Sequence, residues 1–597
     1  MVSHNQTNAH TPSKWRARFR LSGLLLVAVL LTATAFSCRP GAGAISRAEL
    51  DVLIRHFKAR PPAEFTNFSD FLKETERVSK NRYVREALER KKTGGVLDES
   101  QRITIYRLLA VYARTRYRNE LLENLGRLVA IPTFRREGVP QHENPDILKM
   151  GREIEKMAGE MGLEFRNTDN RIYEVILRGQ TKEDFGIYTH GDVVPADAKL
   201  WRLSDGTRLD PFRMRIIGDK IYGRGTEDDK CSIVAAMYAM RAIKESKLPL
   251  KRTVRLMIET TEETGSQGIK YYKKKHKLPA YNVVLDSYYP VVTAEKGYGS
   301  LYIRFPLRKA SGKGAEVVEV RGAKAVNIVP GRALMVFRGE APGKFKQRLD
   351  EAAAAFAQKH GGNFSFESEN RGRETRLTFI GTSAHASEPG RGVNPVSRAF
   401  VFLNGLDKQG LLKRNHYTDA ARLVAVNMGL DFHGKALGVD FKDDFMGPFT
   451  IAVTMSREKD RRLEVGLNTR MPRGKTPGAL KAAIAAKLEK FRAAENLAFT
   501  FEHDQAAPMF RNAEGRWLRT LLDIFSSLTG KEGKPVSSSG ATTARELPNG
   551  VNFGPAMPGT KYRGHTTNEY KRVENFYLDV RMFTEMLLRI SNLQQMQ

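Results

Sequence analysis

Histidine, aspartate and glutamate bind metal ions and move protons, and in this chain they stand where short apolar runs end. Residues 185–192 read FGIYTHGD and deliver His190, with Asp192 two positions on. Residues 254–263 read VRLMIETTEE and lead into the adjacent carboxylates Glu262 and Glu263. Residues 281–286 read YNVVLD and end in Asp286. Each apolar run has the length and composition of a buried strand, and open α/β sheets place their sites beyond the carboxyl ends of strands. A single strand-end aspartate is most often a turn or cap residue. Three strands that bring metal-type ligands to one edge are not explained that way. A fourth element, YGRGTEDDK at residues 222–230, precedes an apolar helix and presents Asp228 to the same edge. A helix cap accounts for one carboxylate there, whereas Glu227, Asp228 and Asp229 crowd together. Like charges so placed repel and imply a nearby cation.

The elements that must hold these residues follow from the hydrophobic pattern. Strands are expected over 172–177, 185–189, 254–258 and 283–285, and helices over 120–129, 147–161 and 232–245. Alternation of this kind predicts an α/β sheet domain. Residues 305–460 carry more short strands and one helix near 344–360, after which the α/β style returns beyond 470. The expected organisation is a segment 1–38 preceding the mature chain, a helical N-terminal extension over 39–118, a catalytic domain in two parts (119–304 and 466–597), and an α+β domain inserted over 305–465. The extension is charged and helical, broken at Gly94-Gly95, and contains no catalytic motif. Packing against the main body, or spacing it from a membrane, is its expected role.

The length of 597 residues allows roughly two to four domains, and 41% hydrophobic residues suit a globular core. Lys and Arg number 98 against 67 Asp and Glu, a formal charge of +31. These cations are spread along the chain without a nucleic-acid-binding motif, which points to a solvated or envelope-facing surface and to no specific nucleic acid. Lys14, Arg16, Arg18 and Arg20 precede an apolar run from Leu21 to Phe36, the order of a secretory signal peptide. Cys38 follows, which predicts a lipoprotein signal, lipid attachment through Cys38, and a place in the periplasm or cell envelope. Cys231 is the only other cysteine, so the mature chain forms no internal disulfide.

In order and spacing these motifs resemble the di-zinc superfamily of aminoacylases, glutamate carboxypeptidases and dipeptidases, nearest to the dipeptidase V branch. The resemblance runs from about 119 to 590. It implies an α/β zinc-peptidase domain with an inserted lid, and two Zn2+ per subunit. His190 and Asp286 would hold one ion, Glu263 and His565 the other, and Asp228 would bridge both. Such a mixed shell suits zinc. His565 lies in RGHTTNE (563–569), like the last ligand motif of the family. Asp192 would bond the second ring nitrogen of His190. Glu262 would be the general base, relaying a proton from water to the leaving amine.

The lid is echoed by VNIVP (326–330) and GTSAHASEP (381–389), where Asn327 and His385 would reach the oxyanion. One such donor is worth on the order of 3 kcal/mol. Arg470, in LNTRMP (467–472), would grip a substrate carboxylate with its guanidinium fork. Two departures stand close to the expected pocket: Cys231 replaces the family's glycine, and SGATTAR (539–545) carries less glycine than usual. A thiol beside the metals would be sensitive to oxidation and heavy metals. The resemblance implies cleavage of an amide bond in dipeptides or small peptides with a free carboxylate. The alternatives are an N-acyl amino acid deacylase or carboxypeptidase of the same superfamily, and an envelope binding protein without catalysis. It also implies a monomer, the enlarged lid standing in for a second subunit.

Overall fold

The computed structural model describes residues 43–339, 342–361 and 363–597. The signal-like segment 1–38, with Cys38, lies outside the described residues. Among the described residues no helix is long and apolar enough to cross a membrane.

A nine-stranded sheet forms the floor of the first body. Its order is Glu164–Thr168, Ile172–Leu177, Thr253–Glu259, Asp184–His190, Asn282–Val284, Val551–Asn552, Val291–Glu295 and Met509–Phe510, with Pro535–Ser538 also paired to Val291–Glu295. The three central strands Thr253–Glu259, Asp184–His190 and Asn282–Val284 run parallel. They are buried almost throughout, as strands covered on both faces must be. The helix Lys230–Ser246 is mostly apolar up to its last turn because it is enclosed. Thirteen of its residues, from Lys230 to Ile243, are buried, and they share a core with the sheet and with the C-terminal helix Val573–Ser591.

The N-terminal extension packs on this body. Its helix Glu99–Arg116 starts with a capping box, Asp98 accepting from the Gln101 amide while the Gln101 side chain accepts from the Asp98 amide. From Ile103 to Thr115 every residue is buried. Ile45, Phe57, Phe71, Leu109 and Tyr112 belong to the same apolar core as Ile233, Leu256 and Phe583. Arg107 Nε reaches Glu585 at 3.2 Å inside this contact. Leu109→Ala is therefore expected to lower the unfolding free energy of the whole body by about 2–5 kcal/mol. The measurement is the denaturant midpoint of the main transition. A change confined to a separate, minor transition would mean that the extension unfolds alone.

A second body has its own core, running from Leu301 to Phe499. One sheet is Thr450–Lys459, Arg462–Met471, Gly297–Pro306 and Thr500–Gln505; another is Glu316–Arg321, Arg332–Arg338, Glu374–Ile380 and Ser365–Arg371. The α+β insertion is thus larger than its expected 305–465. Gly297–Pro306 and Arg462–Met471 cross those boundaries as antiparallel partners, and Ile484, Leu488 and Phe491 of helix Pro477–Glu495 pack into the second core. The helix and strand of 477–505 have the same local pattern as the first body. The strand Thr500–Gln505 is assigned to the second by its pairing with Gly297–Pro306, and the helix by its packing into the second core.

Candidate metal centre

Parallel strands in register release their next residues at one edge. His190 lies beside Glu259, and Tyr188 lies between Met257 and Val284. His190 with Asp192, Glu262 with Glu263, and Asp286 therefore emerge together. His190 is 1% exposed. Its Nδ1 donates to the Asp192 carbonyl oxygen at 2.9 Å, which leaves Nε2 bare as an acceptor. That Nε2 faces Asp228 Oδ1 at 2.9 Å and Asp286 Oδ2 at 3.8 Å. On the other side, His565 Nε2 stands 3.0 Å from Asp228 Oδ2 and 2.9 Å from Glu263. Two three-donor groups result, His190–Asp228–Asp286 and Asp228–Glu263–His565, the donor atoms of each lying within 4.8 Å of one another. Bare acceptors this close need a proton or a cation between them. One imidazole and two carboxylates per group is a donor set that zinc accepts, so the residues fit the metal.

The electrostatics agree. Burial, and then Asp228, Glu262 and Asp229, push Asp286 well above the usual carboxylate range, against the pull of His190. Burial and Asp228 raise Glu263 as well. Burial also pushes at Asp228, but His565 and His190 hold it well below its ordinary value. Burial disfavours a charged His190, yet Asp192, Asp228 and Asp286 raise it well above the usual histidine range.

Asp192 has a second task beside its contact with His190. Its carboxylate lies 3.5 Å from His190 Nδ1, while its main-chain carbonyl accepts the ring proton at 2.9 Å. Two residues beyond the strand, the turn brings the carbonyl to the imidazole and swings the carboxylate towards the neighbouring loop. There Oδ1 and Oδ2 accept from the amides of Glu262 and Glu263, each at 3.1 Å. Asp192 therefore fixes the turn that aims both glutamates. Glu263 points at His565, while the Glu262 side chain takes no hydrogen bond among the described residues. Burial pushes Glu262 well above its usual range, Glu263 and Asp192 adding to the effect against His190.

The crowded loop is relieved residue by residue. Glu227 lies 3.6 Å from Lys571. Asp229 accepts from Thr189 and Ser232. Asp228 alone turns to the histidines. Glu569, four residues after His565, accepts from the amides of Gly225, Glu227 and Asp228 at 3.0, 2.9 and 3.2 Å and from Arg224 at 2.5 Å. Gly225 has φ +89°, and a Cβ there would meet the Lys230 side chain at 2.9 Å, so the loop requires glycine. Tyr562 donates to Asp228 Oδ2 at 2.6 Å. Glu569, Tyr562 and Lys571 escaped the sequence reading; the need of a buried triple carboxylate for donors was the signal for them. Cys231 is fully buried, and burial raises its thiol well above the ordinary range. The expected reactive thiol is a packed, inert one.

His385 and Asn327 come together in the second body, where Ile328 pairs with His385 and the Ala386 amide donates to the Asn327 carbonyl at 2.9 Å. The Ser387 amide donates to His385 Nδ1 at 3.1 Å, so Nε2 carries the proton. Burial, then the charges of Arg470 and His565, bring His385 down to about 4. The field of His565 thus reaches a residue of the second body. Its NMR ring shifts are expected to stay flat as pH is raised from about 5 to 8; a titration step near 6.5 would contradict this environment. Arg470 is buried, with Nε donating to Asn468 Oδ1 at 3.0 Å and Nη1 to the Ser539 carbonyl at 3.4 Å.

The sequence from 186 to 589 matches the model of peptidase family M20/M25/M40, more than half of the chain. The chain belongs to this peptidase family. Members of M20/M25/M40 depend on metal, typically zinc. The putative dipeptidase YtjP of Bacillus subtilis is 28% identical over 419 residues, 69% of this chain and 84% of its own. The Beta-Ala-Xaa dipeptidase of Lactobacillus delbrueckii subsp. lactis is 29% identical over 422 residues, 69% of this chain and 83% of its own. Human carnosine dipeptidase 1 superposes with a TM-score of 0.51 at 14% identity, covering 82% of this chain and 99% of that one, a likeness of fold. This M20/M25/M40 chain is thus a metallopeptidase on an α/β sheet with an inserted second body.

Proposed function

We propose that this metallopeptidase holds two zinc ions and cuts the amide bond of dipeptides or small peptides that carry a free carboxylate. The observation that carries the reading is the pair of three-donor groups sharing Asp228, with the uncommitted carboxylate of Glu262 beside them. His190 and Asp286 would hold one ion and Glu263 and His565 the other, with Asp228 belonging to both donor groups. Zinc held there would supply Lewis acidity, polarising a carbonyl and making water more acidic. Glu262 takes a proton from the attacking water as the carbonyl carbon is attacked, and returns it to the leaving nitrogen as the C–N bond breaks. His385 is neutral, and its Nε2–H donates to the carbonyl oxygen as negative charge builds there; Asn327 stands next to it for the same task. Arg470 receives the substrate carboxylate.

The names of the relatives, dipeptidases in both bacteria, favour dipeptides over N-acylated amino acids. A panel of dipeptides beside N-acetyl amino acids tests this. Hydrolysis of the dipeptides is the expected result, and hydrolysis of the acylated set alone would transfer the chain to the deacylases. The free carboxylate of Glu262 speaks against a binding protein without catalysis. A monomer belongs to the same proposal, the enlarged second body standing in for a second subunit. Export to the periplasm or cell envelope, with attachment through Cys38, belongs to the same proposal and is supported by the basic-then-apolar order of residues 14–36.

A further inference from the structure

Around Arg470 the structure gathers more positive charge than one carboxylate neutralises. Arg470 uses Nε and Nη1 on Asn468 and Ser539, and its Nη2 has no protein partner among the described residues. Tyr298 stands directly opposite Arg470 across the ladder, and Arg545 lies over the Tyr298 ring, 5.0 Å from its centroid. The two guanidiniums therefore meet on one face of the sheet. Arg545 donates through Nη2 to the Ala507 carbonyl at 2.9 Å, while its Nε and Nη1 are buried without a hydrogen-bond partner. Lys296 is buried nearby, its amide bonded to the Ser538 carbonyl at 3.0 Å and its Nζ to the Pro448 carbonyl at 2.5 Å.

Few acids answer these cations. Glu295 is 3.8 Å from Arg545 Nε, but its oxygens are already taken by the Thr542 amide and hydroxyl and by Asn552. It is shared besides with Arg511, whose buried Nε also lacks a partner. Glu388 is on the lid and part-exposed. Four cations thus face two carboxylates. Burial and Arg545 press Arg470 down to about 10. Burial, and then Arg470 against the pull of Glu388, brings Lys296 down to about 8. Buried guanidinium N–H groups left without acceptors are costly, and a matching anion recovers that cost.

We propose that this end of the cleft takes two carboxylates at once, so that the preferred substrate is a dipeptide with aspartate or glutamate as its C-terminal residue. Arg470 receives the α-carboxylate, and Arg545 with Lys296 receives the side-chain carboxylate. The inference rests on the peptidase reading above and adds the class of residue that leaves. It is tested with the zinc-loaded full chain by comparing kcat/KM for Ala-Glu with its neutral isostere Ala-Gln near neutral pH. Ala-Glu is expected to be favoured by about tenfold or more. Arg545→Gln is expected to bring that ratio close to one, and Arg545→Lys to recover part of it, with melting temperatures reporting on folding. A wild-type ratio at or below one would overturn the inference alone, as would an unchanged ratio in folded Arg545→Gln. Should Arg545→Gln not fold, the wild-type ratio still decides. Cleavage of neither peptide would overturn the peptidase reading and this inference with it.

Discussion

Glu262→Gln is expected to keep the metal content of the wild-type chain and to lower kcat by about a thousandfold, within the range for loss of a general base. The two effects separate because ligation and proton transfer sit on adjacent residues. Asp192 anchors the amides of Glu262 and Glu263 at 3.1 Å each, so the turn is held by the backbone and survives a change of the Glu262 side chain. That side chain bonds to nothing among the described residues, and its removal leaves no orphaned partner. Gln keeps the shape and cannot take a proton. A thousandfold loss corresponds to roughly 4 kcal/mol of barrier. Zinc per chain, measured by elemental analysis, and kcat on a dipeptide form the test. A near-normal kcat would remove Glu262 from the proton relay, and loss of zinc would make it a ligand.

The site was readable because its parts are strand ends. An apolar run followed by His190, by Glu262-Glu263 or by Asp286 announces both the strand and the edge where it stops, and parallel register does the rest. His565 was reached only through likeness of its motif; its backbone, at φ 62°, sits in the left-handed region that no local pattern of this loop announces. The supports of the ligands were hidden for a physical reason. Glu569 and Tyr562 act on Asp228 across more than 330 residues, and nothing local marks a glutamate that collects three amides. The boundary near 465 was misplaced for a similar reason. A strand, helix and strand over 462–505 look alike in either body, and the deciding partner, Gly297–Pro306, lies far away in sequence. The charge excess at Arg470, Arg545, Lys296 and Arg511 was invisible too, since 98 basic residues spread along a chain do not tell which four gather in space.

Asp228→Ala is expected to abolish zinc binding at both positions, where Glu263→Ala is expected to weaken one. The asymmetry follows from sharing. Without Asp228, His190 keeps only Asp286 as a partner and His565 keeps only Glu263, and two protein donors each fall short of the three that a catalytic zinc site supplies. Without Glu263, the group His190–Asp228–Asp286 remains whole. Thermal unfolding reads the difference without recourse to activity. At zinc one hundredfold above its dissociation constant, an occupied site stabilises the native state by about 2.7 kcal/mol. Wild-type protein should therefore melt higher with zinc than with chelator, Glu263→Ala should retain part of that shift, and Asp228→Ala should retain none. Folding of the variant itself is protected, because Glu569 holds this loop through the amides of Gly225, Glu227 and residue 228, which substitution of the side chain leaves in place. A zinc-dependent shift of wild-type size in Asp228→Ala would mean that the two donor groups are independent, and the shared carboxylate on which the proposed chemistry depends would have no role.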